Sequence, residues 1–242
     1  MTGVPAIVLV GPGTNRDPDA VLALELAGAT PAIVRADRLA DAPARLDDTA
    51  LVLVAGGFSY ADALGAGRML ALDLDVGLGD ALARFVADGR PIIGICNGFQ
   101  VLTRTGLLPG ALGHNRSGTF DCRWVELAPE PASACVWTRD LPGPLECPIA
   151  HGEGRYVHPD PDALAGAGQV ALRYASPNPN GSVADIAGVC DPTGRVLGLM
   201  PHPENHVLAR QHPRHHRRAA DDTTLGLHLF RNGVRAAEEV WT

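Results

Sequence analysis

Lysine is absent: all 20 basic residues of this 242-residue chain are arginine, a bias we attribute to genome composition. No G-x-x-x-x-G-K-[ST] loop is present, and Gly11-Pro12-Gly13 is too short a glycine pattern to cradle a nucleotide. No apolar run approaches the roughly 20 residues that a bilayer-spanning helix needs, so a soluble, cytoplasmic chain with no membrane partner is expected. The five cysteines, at positions 96, 122, 135, 147 and 190, are scattered, odd in number and without a C-x-x-C pair. That disfavours a disulfide framework and a zinc site, and no metal is expected. A formal charge of −7 gives no support to nucleic acid as a partner. No internal repeat is found.

What is present is apolar and ordered. A hydrophobic content of 46% over this length suffices for a sizeable core, read as a single domain over residues 1–242. Residues 6–10, 31–34, 50–55 and 91–95 form apolar runs, with helical stretches predicted at 19–27 and 79–87. This rhythm predicts an α/β fold, a mostly parallel sheet with helices on both faces. Residues 120–127 and 134–138 predict an antiparallel extension; 170–174, 186–190 and 196–200 add further strands, and 223–240 a closing amphipathic helix.

The chemistry centres on Gly94-Ile95-Cys96-Asn97-Gly98-Phe99-Gln100, where a buried run stops and a helix starts. Glycines two residues to either side of Cys96 permit a sharp strand-to-helix turn, the logic of a nucleophile elbow. A thiol at a helix N-terminus also meets the positive end of the macrodipole. The other four cysteines read as small buried hydrophobes. In Pro201-His202-Pro203-Glu204 the prolines favour extended backbone, which places His202 and Glu204 on one side. A carboxylate-oriented histidine presented to an elbow cysteine makes a Cys96, His202, Glu204 triad. The Asn97 N–H and the Gly56-Gly57 turn are the expected oxyanion donors, and Gln100 shares the helix face of Cys96 where it can hold a substrate's polar end.

Together these two segments resemble the class I (triad) glutamine amidotransferases, which release ammonia from glutamine through a cysteine thioester. Gly56-Gly57-Phe58-Ser59-Tyr60-Ala61-Asp62, His114-Asn115-Arg116-Ser117-Gly118-Thr119-Phe120, Pro148 to Tyr156 and Asn178-Pro179-Asn180-Gly181-Ser182 narrow the resemblance to the glutaminase part of phosphoribosylformylglycinamidine synthase, from purine biosynthesis. The resemblance implies a flavodoxin-like amidotransferase fold. It also implies that Cys96 attacks glutamine, His202 shuttles the proton, Glu204 orients His202, and Gly57 and Asn97 form the oxyanion hole. Ser59, Gln100 and the backbone around His151 and Gly152 would hold the glutamine. No cofactor is implied on this chain; ATP and Mg are expected on a large synthetase subunit, with a small bridging subunit beside it.

Two regions depart from that pattern. The loop at residues 13–17 matches loosely, and residues 205–222 make a long link carrying a histidine- and arginine-rich stretch from Arg210 to Arg218, read as a solvated loop. A metal site from His212, His215 and His216 is disfavoured by the surrounding arginines, and His114, His158 and His228 receive no role. The competing readings are an amidotransferase serving another synthetase, such as a guanylate or anthranilate enzyme, and a non-catalytic redox-sensing or chaperone-like protein that uses an elbow cysteine on a related α/β sheet.

Overall fold

The computed structural model describes residues 3–175, 177–217 and 222–241. The first half alternates strand and helix: β1 (Val4–Val10), α1 (Asp17–Ala27), β2 (Ala29–Arg35), α2 (Ala36–Asp41), β3 (Leu51–Val54), α3 (Arg68–Ala87), β4 (Ile92–Ile95) and α4 (Asn97–Arg104). The second half contributes β5 (Ala111–Gly113), β6 (Asp121–Pro129), β7 (Leu145–His151), β8 (Arg155–Val157), α5 (Pro161–Gly166), β9 (Val170–Tyr174), β10 (Ile186–Cys190), β11 (Val196–Leu199) and α6 (Leu227–Glu238).

Nine strands form one sheet in the order β2-β1-β3-β4-β11-β10-β9-β6-β7. The first five in that order are mutually parallel, and the remaining pairings are antiparallel. Strands β3, β4, β10 and β11 are buried at every position, as continuous apolar runs covered on both faces must be. Helix α1 packs with α6, while α2 packs on α3 and α3 on α4. Helix α1 starts with a proline in its first turn and stops at Gly28, whose φ of 102° is a left-handed cap that suits glycine.

The predicted parallel half is present; α2 within it and β5, β8 and α5 beyond it were not predicted, and four expectations differ. Helix α3 runs over 20 residues rather than starting at Gly79. Gly77 sits inside it because a Cβ there would lie 2.6 Å from the Cβ of Ala40 on α2, so the glycine serves helix packing and not a stop. Residues 134–138, expected as a strand, contain a 3₁₀ turn (Val136–Thr138) that drops Trp137 into the core, its indole N–H donating to the Arg195 carbonyl at 2.9 Å. Strand β7 was not expected, since Pro148 interrupts the pattern. It is an edge strand, where a missing N–H costs no ladder bond. Cys122, expected to be buried, is exposed.

Candidate active site

The parallel strands deliver their carboxyl ends to one edge of the sheet, where open α/β sheets place ligands. Strand β4 ends at Cys96, held at φ 51° and ψ −104° as the residue before α4. That left-handed backbone is strained for a residue with a side chain, and it turns the sulfur outward while the chain reverses into the helix. The turn needs both flanking glycines. A Cβ on Gly94 would lie 2.7 Å from the Gly98 carbonyl, and one on Gly98 would overlap the Val54 carbonyl of β3.

Strand β11 is the parallel neighbour of β4 in the register Leu199↔Ile95, and the Cys96 N–H donates to the Leu199 carbonyl at 2.8 Å. Three residues beyond Leu199, His202 lies close enough to Cys96 for the thiol to help raise the pKa of its imidazole. Its Nδ1 donates to Glu204 Oε1 at 2.6 Å, and both side chains are almost fully buried. Glu204 Oε2 has no partner among the described residues, so the carboxylate's one hydrogen bond goes to the histidine. Gly56 makes room for the ring: a Cβ there would sit 2.9 Å from His202 Cε1. The antiparallel extension curls back over these strand ends. The Pro148 carbonyl of β7 accepts the His202 N–H at 2.8 Å, and the Ala150 carbonyl lies 3.9 Å from Cys96 Sγ.

Burial alone disfavours a charged imidazole at His202, but Glu204 and Cys96 outweigh it and raise its pKa to about 10. His151 moves the other way. Burial first, and then the charge on His202, push it down to about 4, so it is neutral at pH 7. Its tautomer follows from its neighbours. Asn115 Nδ2 donates to the carbonyls of Thr119 and His151, so Asn115 Oδ1 is the acceptor facing His151 Nδ1 at 3.0 Å. Nδ1 therefore carries the proton and Nε2 is a bare acceptor, buried and without a partner among the described residues.

These opposed shifts fix a pH dependence. The folded state binds the His202 proton more tightly than the unfolded chain, whose histidine titrates near 6.5, so this contribution is complete below pH 6.5 and is lost as pH rises to about 10. For His151 the neutral form is favoured, so its contribution is complete above pH 6.5 and is lost as pH falls towards 4. Urea midpoints should therefore peak near neutrality, with an alkaline decline on the order of a few kcal/mol that flattens in His202→Gln. An unchanged alkaline slope in that variant would show the proton resides elsewhere.

A cavity of about 230 Å³ opens over the sulfur, walled by Gly57, Gln100, His151 and Gly152 together with Phe58, Asp62, Phe120 and Glu153, among others. Gly57 has φ 138°, a conformation for glycine, and pairs as an isolated antiparallel bridge with Thr14, so the loop after β1 braces this turn. The Asn97 N–H, first in its helix, has no intrahelical acceptor. Ser59 is not brought to the cavity wall. Its hydroxyl donates to Asn97 Oδ1 at 2.6 Å, Asn97 Nδ2 to Gln100 Oε1 at 3.0 Å, and Gln100 Nε2 to the Glu153 carbonyl at 2.7 Å. This relay locks both amides in orientation.

The histidine-rich link is not simply solvated. His212 is buried, edge-on to Trp124 at 4.5 Å between ring centres, with Nε2 3.6 Å from Glu146 Oε2, whereas Arg214, His216 and Arg217 are exposed. Arg218 lies outside the described residues. Sequence reasoning missed Asn115, which orients His151 and takes the Gly154 N–H at 3.1 Å, and it missed Asp62 and Glu153. Asn115, Asp62 and Glu153 stand inside segments that the resemblance quoted, but no spacing marked them.

Residues 4–235 match the CobB/CobQ-like glutamine amidotransferase domain. The chain belongs to this family of glutamine amidotransferases. Within the family it is 44% identical to the phosphoribosylformylglycinamidine synthase subunit PurQ of Treponema denticola, over 95% of this chain and 97% of that protein. It is 40% identical to the same subunit of Dehalococcoides mccartyi, over 99% and 100% of the two chains. The fold of this amidotransferase superposes on a chain of the solved PurLQS structure from Thermotoga maritima with a TM-score of 0.81 and 37% identity, covering 97% of this chain and 99% of the other. The expected amidotransferase fold, a parallel sheet with helices and antiparallel strands, is thus the fold found.

Proposed function

We propose that this chain is the glutaminase subunit of phosphoribosylformylglycinamidine synthase. It hydrolyses glutamine through a Cys96 thioester and delivers ammonia to a synthetase subunit, which converts formylglycinamide ribonucleotide to formylglycinamidine ribonucleotide in de novo purine biosynthesis. The observation that carries this reading is the Cys96 sulfur lining the cavity, beside a buried His202 whose Nδ1 is held by Glu204 at 2.6 Å.

The roles follow from position. Cys96 passes its proton to His202 and attacks the side-chain amide carbon. The tetrahedral oxyanion develops between the Asn97 N–H and the Gly57 backbone, and His202, oriented by Glu204, returns the proton to the departing ammonia. Water then cleaves the thioester by the same relay in reverse. Gln100 and the backbone at His151 and Gly152 hold the glutamine from the cavity wall. Ser59 acts one step back, through Asn97. ATP and Mg belong to the large synthetase subunit, and a small bridging subunit completes the complex; the likeness to the PurLQS structure supports such partners. The chain works as one cytoplasmic domain, in keeping with its continuous nine-stranded sheet and with no described helix long and apolar enough to cross a membrane.

The test is reconstitution with separate synthetases. Glutamine should drive formylglycinamidine ribonucleotide formation with the purine synthetase subunit and no product with a guanylate or anthranilate synthetase. Activation of one of those instead would reassign the acceptor.

A further inference from the structure

The cavity over Cys96 has an unbalanced charge. Two carboxylate residues, Asp62 and Glu153, line it, and no arginine does. Asp62 Oδ1 is buried with no hydrogen-bond partner among the described residues. Burial first, and then the nearby Glu153 carboxylate, raise its pKa. A third acceptor stands on the same wall. His151 is 3% exposed and its bare Nε2 has no partner either.

The backbone holds this arrangement at a cost. Tyr60, Ala61 and Asp62 are three consecutive non-glycine residues at positive φ, 55°, 52° and 55°. Left-handed backbone is disfavoured for side-chain-bearing residues, and strain of this kind clusters where a side chain must be aimed. Here it is braced from outside: the Tyr60 N–H donates to the Pro12 carbonyl at 2.6 Å and its hydroxyl to Asp73 Oδ2 at 2.5 Å.

We propose that Asp62, seconded by Glu153, binds the α-ammonium group of the glutamine substrate and is the residue that restricts the cavity to free amino acids. This rests on the glutaminase reading above and deepens it. Glutamine carries one cation, at the opposite end from the amide that meets Cys96, and Asp62, Glu153 and His151 line the same cavity as the sulfur. A buried carboxylate oxygen left unpaired, as Asp62 Oδ1 is, is costly, and an ammonium group with three N–H donors satisfies it. Amides without an α-ammonium would leave both acids unpaired, which is how a polar site rejects a near-isostere.

Asp62→Asn is the informative variant, because asparagine tolerates left-handed backbone as aspartate does and only the charge is lost. It is studied in the full chain assembled with its synthetase. Glutamine hydrolysis should lose on the order of a hundredfold in kcat/KM, mainly through KM, as expected when one partner of a partly buried charge pair is removed. Alkylation of Cys96, followed by intact mass and peptide mapping, separates recognition from damage. The rate with 6-diazo-5-oxo-L-norleucine, which carries the α-ammonium, should fall about as far, while the rate with iodoacetamide, which lacks it, should change by less than about threefold. Asp62→Glu should restore part of the loss. Equal loss with both reagents would assign Asp62 a structural role and overturn the proposal, as would no loss with either. A wild-type complex whose Cys96 is labelled by neither reagent would instead overturn the glutaminase reading, and the proposal with it.

Discussion

A complex carrying Cys96→Ala makes formylglycinamidine ribonucleotide from free ammonia at close to the wild-type rate, and from glutamine at a rate reduced by ~10⁴-fold or more. The size follows from the chemistry: with no nucleophile there is no thioester, and members of a catalytic triad act as a unit, so removing the attacking atom removes nearly the whole advantage. The ammonia arm follows from the division of labour, because nothing on this chain is asked to activate the ribonucleotide. Cys96 has little else to do. It is buried but lines the cavity, it forms no disulfide, and its sulfur makes only a long contact of 3.9 Å with the Ala150 carbonyl. Loss of the ammonia-driven reaction in the same variant would make Cys96 a structural residue of the complex. Parallel assays with glutamine and ammonium salts decide it.

The second large effect is expected at Gly98. An alanine there would drive its methyl group into the Val54 carbonyl, and neither a strand backbone nor a helix start can yield as a flexible side chain can. Overpacking in cores costs about 1–3 kcal/mol and more where backbone is the obstacle, so Gly98→Ala should lower the urea midpoint by at least that much. Activity should fall further than stability, since the only relief is for α4 to move off β3. That carries the Asn97 N–H away from the developing oxyanion, and loss of one such donor costs on the order of a hundredfold. Gly79→Ala is the control. That glycine lies inside α3 with nothing within 4 Å of the added methyl, so the substitution should stabilise by roughly 0.5–1 kcal/mol. Similar destabilisation by both would show that glycine loss in general, and not the Val54 contact, sets the effect.

How far these positions were legible depended on whether their cause is local. The Cys96 elbow and the His202 to Glu204 pair could be read because each lies at the end of an apolar run and each carries its own backbone instruction, glycines in one case and prolines in the other. Strand β7 could not be read. Pro148 argues against a strand, and only its place at the sheet edge makes the proline harmless. Residues 134–138 misled for a related reason: a short apolar run has no period of its own, and whether it becomes a strand or a 3₁₀ turn is decided by the room that Gly233 on α6 leaves for Trp137. Ser59 was placed at the substrate because its segment is right, yet its hydroxyl is taken by Asn97. Asp62 went unremarked because an unpaired oxygen is a property of the folded surroundings.

The pairing of β4 with β11 also bears on when the enzyme becomes competent. It joins Ile92 to Val196, partners about a hundred residues apart, with the antiparallel strand β10 on the other side of β11. Contacts so distant in sequence form late, because chain closure must precede any gain from them. During synthesis the elbow strand is complete long before its histidine has left the ribosome. A half-made chain thus carries the elbow sulfur before the histidine proposed as its proton acceptor exists.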